Sequence, residues 1–453
     1  MNINIIRISI AIILAITFTA KAQTWSPVAN GTNGDVYALG AYNNSLYVGG
    51  NFTELMGLTD TITSPMFAKF NGTNFDNTPL HFWNGGGITN FYNYNNDFFI
   101  AGDFSCPNNI SNVLVYKDHQ LETSLYTLNA NVDALIDFNG TLFAGGGFHD
   151  TGSAAVNYIA QWNSSSNSWI PVGSDSTNGE VRALAVFNGS LYAAGDFTVI
   201  GGVIANYIAR WDGTNWNPVG LGLIGSVYAL KVYNNMLYAG GQFVLQGTDS
   251  VNHIAALDMS NVWHNVGSNG IGSSDVLADV RCFEVYGNEL YIGGYFSIAN
   301  GDVGNSIVRW NGTTFDPIGS GITSSGAVVY SMLNWNGNLY VGGSFSQVDN
   351  SFSANNICVY DSAFVGINEV NNEIITEVYP NPSSSIVNFN IHFKHGNNEI
   401  GKIKITDLMG KDIMEQTFHA GLNSIEVSSL AKGMYIYNIS SGNSSIQGKF
   451  IVN

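Results

Sequence analysis

The sequence predicts an all-β fold built from repeated units, and two observations carry this prediction. A seven-residue motif of the form L-Y-x-G-G-x-F, with small variations, occurs seven times, beginning at residues 46, 98, 142, 191, 237, 290 and 339. Successive copies are 44 to 53 residues apart. Repeats with a period of about 50 residues and many short strands are typical of β-propellers, in which each repeat forms one blade.

Each repeat contains four predicted strands. In the fourth repeat they are VRALAVF at 181–187, LYAAGDF at 191–197, NYIARW at 206–211 and WNPVG at 216–220. The first two are joined by Asn-Gly, which favours a two-residue hairpin because both residues tolerate positive φ. The strands are apolar without strict alternation, as expected for sheets that are covered on both faces.

Small residues recur inside the motif. Its fifth residue is glycine in all seven copies, from Gly50 to Gly343, and its fourth is glycine or alanine. We expect neighbouring sheets to approach closely at these positions, because a glycine inside a strand often marks a close backbone approach. The aromatic residues at motif positions two and seven are predicted to fill the core beside them.

The ends of the repeat region predict how the array closes. Residues 25–29, WSPVA, match a fourth strand that has no repeat before it, and the seventh repeat lacks a matching fourth strand. We therefore predict a seven-bladed β-propeller over residues 23–365, in which the N-terminal strand completes the last blade and removes an exposed edge. The second repeat matches poorly, so six or eight blades remain alternatives.

The motif also resembles known families. Second strands that end in a glycine pair are similar to those of kelch-like and galactose-oxidase-type propellers, and the L-Y-x-G-G-x-F units resemble fungal cortical cell-polarity marker proteins more closely. The copper ligands of galactose oxidase have no counterpart in this sequence. The resemblance implies a fold and no particular activity, because propellers host unrelated functions.

A different composition begins after a predicted linker at 366–376. Residues 377–453 are predicted to form a small Ig-like β-sandwich of short strands. Within it EVYPNPSSS (377–385), IKITDLMGK (403–411) and KGMYIYNI (432–439) resemble the type A C-terminal sorting domain of the Bacteroidetes type IX secretion system. An accessory domain without a sorting role is the alternative.

The resemblance implies an address and a partner. The type IX machinery would carry the chain across the outer membrane, after which the protein is secreted or anchored at the cell surface. By the same resemblance Gly433, Tyr435 and Lys449 lie in the recognised part of the signal.

The N-terminus is predicted to be a secretory signal peptide. Arg7 precedes an apolar run from 8 to 20, and Ala20-Lys21-Ala22 predicts cleavage before Gln23. The apolar run is short for a membrane span, although an uncleaved anchor is the alternative. We expect no transmembrane span in the mature chain.

The charge distribution limits the partners. The net charge is −18, and residues 23–370 hold 7 basic against 26 acidic residues, which gives −19. Such a surface repels phosphate backbones, so nucleic acid is excluded as an expected partner.

Three cysteines are present. Cys282 and Cys358 replace alanines of the repeat, which favours small buried side chains over a disulfide or a nucleophile. Cys106 lies in a segment, FSCPNN, whose pattern does not explain it.

The sequence contains no recognisable catalytic or metal-binding motif. Candidate ligand-binding residues are therefore sought where the repeats differ: Glu54 and Asp60 in the segment 53–66, and Asp275 and Asp279 in the longer segment 267–279. Acidic loops of this kind suit Ca²⁺ or sugar hydroxyls, and tolerated loop variation is the alternative. No other cofactor is predicted.

Two hypotheses for the function follow. The first is an exported, non-catalytic propeller that binds a glycan or a protein. The alternative is a secreted hydrolase, lyase or oxidase that acts on extracellular polysaccharide with residues spread over several blades.

Overall fold

The computed structural model of the protein describes residues 24–56, 61–76, 84–106, 110–117, 120–122, 127–151, 155–173, 177–245, 252–268, 270–272, 277–299, 302–361, 374–379, 382–393, 400–407, 411–441 and 444–453. Over these ranges the protein is all-β and contains no helix. The chain divides into two compact units, Met1–Ala363 and Phe364–Asn453.

The described residues of the first unit form seven four-stranded antiparallel sheets, which we number 1 to 7 in chain order. Sheets 1 to 3 consist of Val36–Tyr42, Ser45–Gly50, Phe67–Phe70 and Phe75–Asp76; Asn84–Tyr94, Asp97–Cys106, Ile110–Lys117 and Gln120–Glu122; and Val132–Phe138, Thr141–Gly146, Ile159–Asn163 and Ser168–Pro171. Sheets 4 and 5 consist of Val181–Phe187, Ser190–Gly195, Ile208–Trp211 and Trp216–Pro218; and Leu223–Tyr233, Met236–Leu245, Asn252–Leu257 and Trp263–Asn265. Sheets 6 and 7 consist of Asp279–Tyr286, Glu289–Tyr295, Ile307–Trp310 and Phe315–Pro317; and Val328–Trp335, Asn338–Ser344, Ile357–Asp361 and Thr24–Pro27.

Short two-stranded hairpins lie between the second and third strands of four of these sheets. They are Glu54–Met56 with Thr61–Thr63, Val199–Ile200 with Val203–Ile204, Ile298–Ala299 with Asp302–Val303, and Gln347–Val348 with Phe352–Ser353.

Sheet 7 is assembled from both ends of the repeat region. The N-terminal strand Thr24–Pro27 pairs antiparallel with Ile357–Asp361, with Trp25 opposite Tyr360. Trp25 is buried, its ring centroid lies 4.8 Å from that of Tyr360, and its indole Nε1 donates a hydrogen bond of 3.3 Å to the carbonyl of Ile318 in the segment after sheet 6. The N-terminal strand is therefore bonded to two parts of the chain about 300 residues away.

The indole hydrogen bond recurs between sheets. Trp216, in the fourth strand of sheet 4, donates to the carbonyl of Val172 at 3.2 Å, and Trp263 in sheet 5 donates to that of Val219 at 3.3 Å. In each case the acceptor follows the fourth strand of the preceding sheet. The tryptophan of the repeat thus joins its own sheet to the previous one while it packs in the core.

The seven first strands contact one another in cyclic order, from sheet 1 through sheet 7 and back to sheet 1. Hydrophobic clusters fill the space between successive sheets, and one of them contains Val36 and Leu46 of sheet 1 together with Trp335 and Tyr340 of sheet 7. The core is thus divided into layers between sheets, and the last sheet is packed against the first.

The motif glycines serve two different contacts. A Cβ at the fourth motif position would collide with the next sheet: at Gly145 it would lie 2.7 Å from Cγ1 of Val181. At the fifth position it would collide with backbone of its own sheet, as at Gly195, where the obstacle is the carbonyl oxygen of Glu180. The expected close approach between sheets therefore applies to the fourth position, and the invariant fifth glycine has another cause, described below.

The second unit contains two sheets. One has the order Ile374–Tyr379, Ile386–Phe393, Gly421–Glu426, and the other has the order Asp412–His419, Ile400–Thr406, Gly433–Ser441, Ser444–Val452. Their shared core is apolar and includes Val387, Phe389, Ile403, Phe418 and Phe450. The residues that the structure describes form no helix that could cross a lipid bilayer.

Candidate functional site

The first strand of every sheet is interrupted by a β-bulge at the same place. In sheet 4, for example, the register shifts between Val181 and Ala183, so Arg182 is the extra residue. The carbonyl of Glu180 then faces Gly195, which explains the invariant glycine of the motif. A bulge redirects a side chain that would otherwise alternate with its neighbours.

The seven bulge residues form a ring, which we call the bulge ring. Its members are Tyr37, Thr89, Asp133, Arg182, Tyr228, Arg281 and Tyr330. All seven line one cavity of about 580 Å³, which residues from the first strands of all seven sheets enclose. This volume falls within the range of small-molecule sites, roughly 300–1,000 Å³.

Arginine and tyrosine alternate along part of the bulge ring. The guanidinium carbon of Arg281 lies 4.8 Å from the ring centroid of Tyr228 and 5.7 Å from that of Tyr330, and Arg182 lies 5.7 Å from Tyr228. Tyr330 in turn contacts the edge of Tyr37 at 5.1 Å between centroids. Such cation–π and aromatic contacts hold these side chains in fixed positions around the cavity.

Each arginine is also fixed by carboxylates. Arg281 makes a bidentate pair with Asp279, with Nε to Oδ1 at 2.9 Å and Nη2 to Oδ2 at 2.7 Å. Arg182 contacts Glu180 at 2.5 Å and Asp196 at 2.8 Å. The planar guanidinium suits this two-pronged pairing, which fixes its orientation as well as its charge.

Asp133 is the acidic residue among those that line the cavity. Its Oδ2 is 3.9 Å from Nη1 of Arg182, and the amide of Asn131 donates both to Asp133 Oδ1 at 3.0 Å and to Glu180 Oε1 at 2.6 Å. Burial, together with repulsion by the Glu180 carboxylate, raises the pKa of Asp133 to about 7. This carboxyl therefore exchanges a proton near neutral pH.

Tyr37, another member of the bulge ring, is also surrounded by polar side chains. Its hydroxyl accepts a hydrogen bond of 2.7 Å from Asn51 Nδ2 and lies 3.4 Å from Asp35 Oδ2. Burial and the negative charge of Asp35 raise the pKa of Tyr37 to about 12, so this hydroxyl stays protonated at neutral pH.

Of the four acidic candidates from the sequence, one contacts the bulge ring. Asp279 is almost completely buried and holds Arg281. Glu54 is exposed in a short hairpin, where its backbone N–H donates to Asn33 Oδ1 at 2.9 Å, and it does not line the cavity. Asp60 and Asp275 lie outside the described residues, as do the predicted cleavage residues Ala20, Ala22 and Gln23.

The described residues contain no group of three His, Cys, Asp or Glu side chains placed to hold a metal ion. Cys282 and Cys358 are free thiols, and burial raises the pKa of both. The side chain of Cys106 lies outside the described part of the chain.

The three predicted sorting residues differ in their surroundings. Gly433 and Lys449 are exposed, and a Cβ at Gly433 would meet no atom within 4 Å. Tyr435 is a core residue: its ring stacks on Phe450 at 5.8 Å and its hydroxyl donates to the carbonyl of Ala431 at 2.8 Å.

The bulge ring was not among the residues predicted from the sequence, because those candidates lie in segments that depart from the repeat. Its signal is nevertheless visible when the first strands are aligned. VDALIDF, VRALAVF and VYALKVY keep valine, alanine and leucine at the first, third and fourth positions, whereas the second position changes between charged and aromatic residues. A variable polar position between constant apolar ones indicates a surface that is used differently in each sheet.

The second unit belongs to a known domain type. Residues 377–453 match the secretion system C-terminal sorting domain, so the protein is secreted through the type IX system and is then released or attached to the cell surface. This match confirms the expected resemblance of the tail and implies an interaction with the secretion machinery.

Solved structures give only a distant likeness. The extracellular domain of a protein described as a hybrid two-component system from B. thetaiotaomicron is 12% identical with a TM-score of 0.38, and the match covers 93% of this chain and 68% of that one. A domain from the same organism described as a one-component system is 11% identical with a TM-score of 0.38, covering 93% and 70%. No curated protein matches the chain in sequence.

Proposed function

We propose that residues 23–365 form a seven-bladed, kelch-like β-propeller that binds a glycan in the cavity of the bulge ring, after the tail has directed export. The propeller assignment is supported by the cyclic contacts of the seven first strands and by the N-terminal strand that completes sheet 7. The second strands that end in a glycine pair support the kelch-like comparison.

The observation that carries the binding proposal is the mixed hydrogen-bonding character of the bulge ring. Sugar hydroxyls donate and accept at once, and the ring offers donors on its arginines, acceptors on Asp133, and hydroxyls that do both on Tyr228 and Tyr330. Polar groups fixed in advance around a cavity of this size favour a ligand of one or two sugar rings.

The test is a glycan array with the mature protein, followed by calorimetry of any hit with a Tyr228→Phe variant. Loss of one hydroxyl that bonds the ligand should weaken binding roughly three- to tenfold. Tyr94→Phe is the matched control, because that hydroxyl donates to the carbonyl of Gly140 at 2.9 Å and does not line the cavity. Binding that Tyr228→Phe leaves unchanged would place the ligand elsewhere, and a protein without glycan affinity would refute the proposal.

A second candidate is a secreted hydrolase or lyase that acts on polysaccharide. It is favoured by the raised pKa of Asp133, because a carboxyl group with a raised pKa can serve as a general acid near neutral pH. Release of reducing ends from a bound polysaccharide, abolished by Asp133→Asn, would favour this function over binding alone.

A further inference from the structure

The bulge ring is unequal around its circumference. Five successive sheets, from sheet 4 through sheet 7 to sheet 1, contribute the large residues Arg182, Tyr228, Arg281, Tyr330 and Tyr37. Sheets 2 and 3 contribute the short side chains Thr89 and Asp133. The hydroxyl of Thr89 donates to the carbonyl of Val132 at 2.8 Å and so is already used. We call the part of the cavity beside Thr89 and Asp133 the acidic gap.

The charged groups grouped around Arg182 at the edge of the acidic gap carry more negative than positive charge. The carboxyls of Asp133, Glu180 and Asp196 share one guanidinium, that of Arg182, and the ring position on the other side of Asp133 is the uncharged Thr89. Arg281 does not offset this negative charge, because its guanidinium already pairs with both carboxylate oxygens of Asp279. A buried carboxylate that lacks its share of positive charge is costly unless a proton or a cation reaches it.

Hydrogen bonding shows the same deficit. Among the described residues, Asp133 Oδ2 and Asn90 Oδ1 are buried acceptors without a hydrogen-bond partner, and both residues line the cavity. Each oxygen has almost no accessible surface, so a ligand reaches it once the side chain turns toward the cavity. The nearby amide donor, Asn131 Nδ2, already donates its two hydrogen bonds to Asp133 Oδ1 and Glu180 Oε1. The acidic gap therefore needs donors, and preferably charged donors.

We propose that the glycan carries a free amino group, as in an unacetylated hexosamine, and that its ammonium binds in the acidic gap. An ammonium supplies three donors and one positive charge, which are what Asp133 and Asn90 lack. The hydroxyls of the same sugar then meet Tyr228, Tyr330 and Arg281 across the cavity. This inference rests on the proposed glycan-binding function and deepens it.

Other cations fit less well. A metal ion needs several ligands at short distance, and no suitable group of three exists among the described residues. A lysine side chain would bring a narrow apolar stem, whereas the walls beside the acidic gap carry the polar groups of Asn90 and Arg182. A sugar ring presents its hydroxyls and its ammonium together.

The experiment compares three β-1,4-linked tetrasaccharides that differ only at C2, made of glucose, glucosamine and N-acetylglucosamine. Binding to the mature protein is measured by calorimetry at pH 7.0, where about half of the Asp133 carboxyl groups are ionised before binding, with trilysine as a probe for non-specific attraction to the acidic surface. The glucosamine tetramer should bind at least about tenfold more tightly than the other two, as expected for a charged hydrogen bond. Trilysine should bind more weakly than the glucosamine tetramer.

Two isosteric variants complete the test. Asp133→Asn should reduce the preference for glucosamine to less than about threefold, because the carboxylate that pairs with the ammonium is gone. Asp137→Asn removes an equal charge from the same strand, at the turn where Asp137 Oδ1 accepts the Gly140 N–H at 2.8 Å, and should keep the full preference.

The outcomes separate the two proposals. If glucose and glucosamine tetramers bind equally and Tyr228→Phe weakens both, glycan binding stands and the amino-sugar inference fails. The inference also fails if Asp133→Asn lowers affinity for all three sugars alike, because the residue is then structural. If trilysine binds and no sugar does, or if nothing binds, both proposals fail.

Discussion

Replacement of Trp25 by alanine tests whether the N-terminal strand locks the sheets into a closed array. Trp25 is 7% exposed and pairs with the last sheet, and its indole also reaches the carbonyl of Ile318. If the array is closed, this strand is as integral as any internal one, and its loss opens the contact between sheets 6 and 7. If it is a loosely attached terminus, its loss is tolerated.

The magnitude follows from burial and from one hydrogen bond. Removal of a buried tryptophan side chain costs about 3–5 kcal/mol of unfolding free energy. Loss of the indole donor adds about 1 kcal/mol, because the Ile318 carbonyl is left without it. Trp25→Phe keeps most of the buried surface and should cost only about 1–2 kcal/mol.

The assay is urea unfolding of the mature protein, followed by far-ultraviolet circular dichroism. Trp216→Ala is the internal control, because Trp216 is 5% exposed and makes the same bond to the Val172 carbonyl within the array. We expect Trp25→Ala and Trp216→Ala to destabilise the protein by similar amounts. A cost below about 1 kcal/mol for Trp25→Ala, beside a full cost for Trp216→Ala, would refute closure by the N-terminal strand.

Three further predictions concern pH, reactivity and export. The pKa of Asp133 is about 7 in the folded protein, above its ordinary value of 3.8. Between these two pH values the native state keeps a proton that the unfolded chain has lost. The free energy of unfolding of the wild-type protein should therefore fall as the pH rises from about 4 to about 7. At roughly 1.4 kcal/mol per pKa unit this decrease amounts to at most about 4 kcal/mol. The Asp133→Asn variant lacks the titrating group, so its unfolding free energy relative to wild type should rise over that range. If urea unfolding shows the same pH dependence for both proteins, the raised pKa is wrong. The thiol of Cys358 is completely buried with a raised pKa, so it should resist maleimide at pH 8 in the native protein and react in urea; mass spectrometry that finds it labelled without denaturant would count against this packing. Lys449→Ala should leave the melting temperature of the tail within about 2 °C, because this side chain is exposed, yet block appearance in the medium or at the cell surface; normal export would remove Lys449 from the sorting signal.

Much of the sheet architecture could be predicted from the repeated motif. The motif spacing, the Asn-Gly turns and the unpaired WSPVA segment led to four-stranded sheets and to an N-terminal strand placed beside the last repeat, and the sheet order contains that pairing. The tail was equally readable, because its motifs occur in order along 77 residues, and its match to the sorting domain confirms the expected localisation. Both inferences depend on local patterns, which a sequence records directly.

The candidate site, in contrast, depends on contacts between residues that are far apart in the sequence. Asp133, Arg182 and Tyr228 lie in three different repeats, some 50 residues apart, and each occupies an ordinary strand position in its own sequence. In each first strand a β-bulge shifts the register by one residue, and the glycine on the opposite strand leaves room for it. This bulge turns each of the three side chains toward the same cavity. The sequence alone determined the repeated sheets and the export signal, because these follow from periodic and contiguous patterns. The tertiary structure decided which charges meet, because the raised pKa of Asp133 and the pairing of Arg281 with Asp279 depend on distances between side chains that no spacing along the chain specifies.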